Sequence, residues 1–231
     1  MYVWLRRVLQ RVFGRRHSEG LSSPVPRQRL VGAARWVEAD DPANPFGVRI
    51  IDCSSTAAGL ISFSKNPNAA RSYGRLRSDD GRRHIGKIPP DQIIATCDLN
   101  YPIVEPTNDG PLHTSREMED KWDVYLHEKC LYFSRSWLGE LDYLAYVDFL
   151  PNRMLVHRIS ARAGRAFGDA TMAVRQADFL IKSLLLGWRV PAPLPPDHRI
   201  DDTKFVAVYL FNTYGRHAAA GTYEDSLLIT P

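Results

Sequence analysis

From Trp122 to Ile159 apolar and polar positions alternate with period two. Trp122, Val124 and Leu126 alternate with Asp123, Tyr125 and His127, and Glu128-Lys129 then turns the chain. Leu131 and Phe133 alternate with Tyr132 and Ser134. Leu141, Tyr143, Ala145, Val147 and Phe149 alternate with Asp142, Leu144, Tyr146 and Asp148, and Pro151-Asn152 leads into Met154–Ile159. Successive side chains of a strand point to opposite faces, so the pattern predicts an antiparallel meander over about 122–159, with one core face and one wetter face.

Helical periodicity is clearest over about 169–188. Ala173, Val174, Ala177, Leu180, Ile181, Leu184 and Trp188 form one apolar stripe, with Arg175, Gln176, Asp178 and Lys182 opposite. This predicts a long helix covering the core face of the meander. Strands come in runs and helices come late, so the expected class is α+β with a mainly antiparallel sheet.

The remaining chain carries weaker signals. Gly47–Cys53 reads as a strand, paired through Ser54–Ala57 with a second strand over Ala58–Ser64. Asn66-Pro67 opens a short helix, with Asn66 as N-cap. Asp79-Asp80-Gly81 reads as a hairpin turn in the most basic part of the body, taken as a solvated hairpin. Gln92–Leu99 is strand-like, and 101–113, with its prolines and Asn108-Asp109-Gly110, reads as a long loop. Pro191–Pro196 is an extended connector, Phe205–Tyr214 reads as a helix, and the tail over 219–229 adds a last strand.

Charge changes the picture at one end. The chain has 30 Lys+Arg and 26 Asp+Glu, but Arg6, Arg7, Arg11, Arg15 and Arg16 lie in its first 17 residues with no acid. Without them the body holds 25 basic and 26 acidic residues, which argues against nucleic acid as a partner. Trp4, Leu5, Val8, Leu9, Val12 and Phe13 share one helical face, with the arginines opposite. Residues 1–17 therefore read as a basic amphipathic helix suited to an anionic membrane surface. Residues 18–29, rich in Ser, Pro and Arg, read as a flexible linker, and 30–231 as a single α+β domain.

Cys53, Cys97 and Cys130 are odd in number and lack metal-ligand spacing. They read as buried free thiols of a reducing, cytoplasmic compartment. There is no P-loop, no dinucleotide glycine fingerprint, no G-x-S-x-G and no H-E-x-x-H. No cofactor and no metal are expected. Tyr125 and His127 share a face of the meander, with Arg135, Ser136 and Trp137 at a strand end. Trp, Tyr and Arg dominate binding hot spots, so these five are the candidate binding residues. The competing structural expectation is that Trp137 caps the core and Arg135 pairs with Glu140 or Asp142.

Two resemblances follow from short blocks. Ser62-Phe63-Ser64, the helix after it and Glu117-Met118-Glu119 resemble the Ser-Thr-Ser strand and Glu-x-Glu of ADP-ribosyltransferases. That resemblance implies NAD-dependent chemistry with Ser62, Ser64, Glu117 and Glu119 as catalytic positions, although Phe63 replaces the central Thr. It also implies an upstream Arg, for which Arg35 or Arg49 could stand. Arg116–Tyr125, Leu131–Gly139 and Arg175–Ser183 resemble blocks of bacterial proteins without an assigned function. This second resemblance implies one coherent domain from about Trp36 onward and transfers no activity.

The leading expectation is a binding or accessory protein without catalysis, immunity- or regulator-like, meeting a protein partner through a sheet edge. An ADP-ribosyltransferase-like enzyme and a protein tethered at the membrane periphery by residues 1–17 are the alternatives. The tether predicts that the full chain floats with anionic liposomes and that a chain starting at Gln28 does not; equal flotation of the two removes it.

Overall fold

The computed structural model describes residues 34–103, 108–195 and 203–230. The amphipathic segment 1–17 and the linker 18–29 lie outside the described residues. The first strands, β1 (Arg35–Val37) and β2 (Ile50–Asp52), pair antiparallel. Helices α1 (Ser54–Gly59) and α2 (Pro67–Leu76) follow, then the long strand β3 (Gln92–Pro102). The meander comprises β4 (Gly110–His113), β5 (Trp122–His127), β6 (Cys130–Arg135), β7 (Leu141–Leu150) and β8 (Arg153–Arg162). Helix α3 (Ala170–Leu180), strand β9 (Ala192–Pro193), helix α4 (Thr203–Tyr214) and strand β10 (Ala220–Thr222) complete the fold. A six-stranded antiparallel sheet has the order β3-β8-β7-β6-β5-β4, and a four-stranded sheet the order β1-β2-β10-β9, with β9 and β10 parallel.

The class is α+β, as the patterning predicts. The meander turns obey local chemistry. Glu128 and Lys129 both take positive φ, as a two-residue turn matching strand twist requires, and Asn152 does so at the turn from β7 to β8. Asp169 accepts from the Thr171 N–H and caps α3, which continues as a π-helical turn over Ile181–Leu185. The helix ends at Leu185, three residues short of the expected end at Trp188. Asn66 caps α2 through the Asn68 N–H, as expected.

Several expectations are corrected. Ala58–Ser64 is not a strand: Ser54–Gly59 is helical, and residues 60–64 run as coil beside the sheet's end. Asp79-Asp80-Gly81 does not make a hairpin, since Arg82–His84 closes a 3-10 turn after Gly81 at φ 82°. The expected loop over 101–113 is strand at both ends, in β3 and β4. The connector after Pro191 supplies β9, whereas the tail does add a last strand, β10, followed by a 3-10 turn at Ser226–Leu228. All three cysteines are free, but only Cys53 is buried; Cys97 and Cys130 are partly exposed. Among the described residues no helix is long and apolar enough to cross a membrane.

The largest correction concerns the second face of the meander. Trp122, Val124, Leu126, Phe133, Tyr143 and Ile159 enter the main core with α3 and α4, as the alternation predicts. Around β5 and β6 the opposite face is also dry, with every residue of β5 buried, while toward β8 and β3 it stays exposed, as at Arg158 and Ile94. Tyr125, Tyr132, Leu141 and Leu144 form a second apolar cluster. The His84 ring lies 5.8 Å from that of Tyr125 and 6.2 Å from that of Tyr132. Gly81 packs so closely on Tyr125 that a Cβ there would enter its ring. Leu141 reaches this face because the register shifts between Phe133 and Ser134, leaving Asp142 as an extra residue.

An ion pair anchors the cover. Asp123 on β5 is fully buried, and Arg77, just after α2, donates to its carboxylate at 3.0 Å and 3.3 Å. Ser115 N–H donates to the same carboxylate at 2.8 Å. Removing one partner of a buried pair leaves an uncompensated charge, so Asp123→Asn should lower unfolding free energy by about 3 kcal/mol in urea denaturation. A loss below about 1 kcal/mol, as for an exposed pair, would deny the pair this role.

Candidate functional site

The expected binding residues do not form one surface. Tyr125 and Ser136 are fully buried and His127 is 5% exposed. His127 Nε2 meets the Asp80 carbonyl at 2.8 Å, and Ser136 donates to the Asp120 carbonyl at 2.6 Å. These three are structural, because α2 and the 79–84 segment cover the face they occupy. Arg135 pairs with neither Glu140 nor Asp142. Its guanidinium instead donates to the carbonyls of Asn212 and Thr213, both at 3.0 Å, and stacks over Trp122 at 4.8 Å. A cation on the last carbonyls of α4 suits the negative end of the helix dipole.

Trp137 stays partly exposed, and its indole N–H donates to the Met118 carbonyl at 2.8 Å. It does not cap the core. With Arg135 it lines an open cleft of about 500 Å³. The other walls come from residues 61–65 between α1 and α2, from Lys121 before β5, and from Phe211 and Asn212 on α4. Leu138, Glu140 and Arg165 close the side nearest the β6–β7 turn.

The rim is apolar: Ile61 is 59% exposed, Phe63 71% and Leu138 51%. The lining is cationic, with Lys65, Lys121, Arg135 and Arg165 against Glu140 alone. Glu140 is itself paired with Arg162 at 3.0 Å, and Arg165 with Asp142 at 2.7 Å. Lys121 is buried at the floor. Its ammonium bonds the Ser62 hydroxyl and, at 3.0 Å, the Met118 carbonyl. It lies 4.6 Å from the Phe211 ring and 5.5 Å from that of Trp137. Burial, then the charge of Arg135, lowers its pKa to about 8, against the opposing pull of Glu119 and Asp120. Burial, then Arg165, likewise lowers Arg135 to about 10.

The four residues singled out by the ADP-ribosyltransferase resemblance separate. Glu119 accepts from the Ser62 N–H at 2.9 Å, so these two meet. Ser64 accepts locally from the Asn66 N–H, and Glu117 pairs with Arg216 on the surface. Ser62 and Ser64 lie in coil rather than on the expected strand. Of the two upstream arginines considered, Arg35 is on β1 and Arg49 pairs with Glu38. The arginines at 6, 7, 11, 15 and 16 are outside the described residues. Among the described residues no group of three His, Cys, Asp or Glu side chains could hold a metal ion.

Reading by sequence missed Lys121, Ile61, Phe63, Phe211 and Arg165. Ile61 and Phe63 read as alternating strand positions, which hides their exposure in coil. Lys121 stands one residue before the meander, where a charged residue reads as solvated. Comparison with known proteins finds no matching family model, no matching curated protein and no matching solved structure.

The buried lysine has a stability signature. Its folded pKa is near 8 against an ordinary value of 10.5. Unfolding therefore lets it bind a proton, so its cost is absent above 10.5, grows as pH falls toward 8 and is complete below 8. Lys121→Met should raise stability at pH 7 by about 1–2 kcal/mol, after loss of its two hydrogen bonds. The gain should shrink as pH rises toward 10. Thermal melts across that range check it, and a variant weaker than wild type at pH 7 would contradict the burial cost.

Proposed function

We propose that this protein binds a protein partner by seating an acidic segment, flanked by large apolar side chains, in the cleft at the β6–β7 end of the sheet. The observation that carries this reading is the coincidence of two features at one place. Three large apolar side chains left in water, Ile61, Phe63 and Leu138, rim the same cleft whose lining holds four cations, Arg165 paired with Asp142, and one acid, Glu140, paired with Arg162. Singly exposed apolar residues need no explanation, but a group around a concave site does. Cationic lining favours an acidic partner and steers its approach, while apolar anchors supply the contact energy. Arg135 and Trp137 remain part of the proposed surface. Tyr125, His127 and Ser136 leave it.

Peptides selected from a displayed random library on the full chain should carry Asp or Glu next to Phe, Trp or Leu. Their binding, followed through Trp137 fluorescence, should weaken with added salt. Phe63→Ala combined with Leu138→Ala, both at exposed positions, should raise the Kd about 10-fold or more. Selected peptides without acids, or a double variant that binds like wild type, would overturn the reading.

A further inference from the structure

Ser62 and Lys121 stand in a relation that partner binding does not use. Ser62 is partly exposed and lines the cleft. Lys121 lies behind it, 6% exposed, with its nitrogen on the Ser62 hydroxyl and the Met118 carbonyl. Asp120, adjacent to it, accepts from the Arg116 N–H and pairs with His217, and Glu119 accepts from the Ser62 N–H at 2.9 Å. That bond anchors the serine's backbone and leaves the amine without an ion-pair partner among the described residues. Phe211 and Trp137 wall the amine on its other sides. A hydroxyl open to a cleft, backed by a buried amine that forms no ion pair among the described residues, is what a serine nucleophile with a lysine base requires.

The geometry points to Ser62 as a nucleophile and Lys121 as its general base, acting on a carboxylic ester or thioester whose apolar acyl chain lies among Ile61, Phe63 and Leu138. This goes beyond the binding reading. Unprotonated Lys121 Nζ takes the Ser62 Oγ proton as Oγ bonds to the acyl carbon, and the carbonyl π pair moves onto its oxygen. The pair then returns, the bond to the leaving oxygen or sulfur breaks, and the leaving group takes the proton from Lys121. Water, deprotonated by the same amine, repeats the addition at acyl-Ser62. Ser62 Oγ departs with that proton and the carboxylic acid is released. Arg135 and Arg165 supply positive charge for the oxyanion. The charges around Lys121 are Arg135, Glu119, Asp120 and Arg216, and together with burial they hold it near 8. About a tenth of the chains therefore carry the free amine at pH 7.

A fluorophosphonate probe, which takes a serine oxygen with loss of fluoride, tests this on the full chain. One adduct should appear, on the peptide containing Ser62, at a rate that rises with pH through about 8. Ser62→Ala should abolish it, and Lys121→Met, with its fold checked by circular dichroism, should slow it about 100-fold or more. Peptide binding is read on the wild-type chain without the probe, so failure of one reading is distinguishable from failure of the other. No adduct, an adduct elsewhere, or a rate unaffected by Lys121→Met would overturn the assignment.

Discussion

A single buried carboxylate organises this molecule. Asp123 sits on β5, beside the edge strand β4, fully buried, where an unpaired charge would cost several kcal/mol. Arg77 and the Ser115 N–H meet it. The same guanidinium donates to the Ser115 and Ser136 carbonyls and stacks at 4.2 Å over Tyr73. One side chain thus ties α2, the segment before β5, β5 itself and the chain leaving β6. A lysine has no planar fork to do this, so the arginine is specific to the task. The clamp requires α2 to lie across the β5–β6 end of the sheet, and that cover turns part of a face patterned for water into a second core.

The cleft follows from the clamp. Residues 61–65 connect α1 to α2, so fixing α2 limits where they run. Lys121 and Glu119 come from the segment that Asp123 holds through Ser115. Trp137 follows Ser136, whose carbonyl Arg77 also holds. The fourth wall is the end of α4, brought in by Arg135 on its last carbonyls. Gly215, at φ 78°, then passes so near the Glu119 carbonyl that no Cβ fits between them. Walls from separate parts of the chain, each fixed by charge-assisted hydrogen bonds, give a preformed site rather than one assembled by its ligand.

The meander was legible because its period, turns and core face all follow from local rules. What covers the other face was not, since alternation reports only that two faces differ. Tyr125 and His127 carry polar atoms on an amphipathic body, so they read as exposed whether or not another element shields them. The helix over Ser54–Gly59 lost to a strand reading because Ile61 and Phe63 beyond it favour strands, and nothing local shows that they stay unpaired. The register shift at Asp142 was equally invisible, because it depends on Arg162 and Arg165 reaching a buried carboxylate. At the cleft, Arg135 and Trp137 were found by residue type alone, whereas Lys121 was missed because only its burial distinguishes it.

That burial is the strongest argument that the cleft is more than a by-product of packing. Lys121 loses hydration without gaining an ion pair, and an apolar residue of similar length would fill the space between Phe211 and Trp137 at lower cost. Its two hydrogen-bond partners are also held by others: Trp137 donates to the Met118 carbonyl, and Glu119 fixes the Ser62 backbone. Elsewhere the buried ions are matched, Asp123 with Arg77, Asp178 with Lys182, and Asp142 with two arginines. A chain that pairs its buried charges there leaves this amine facing a serine hydroxyl, with Glu119 beside it on the Ser62 N–H. Such local departures from stability are where function is expected to reside.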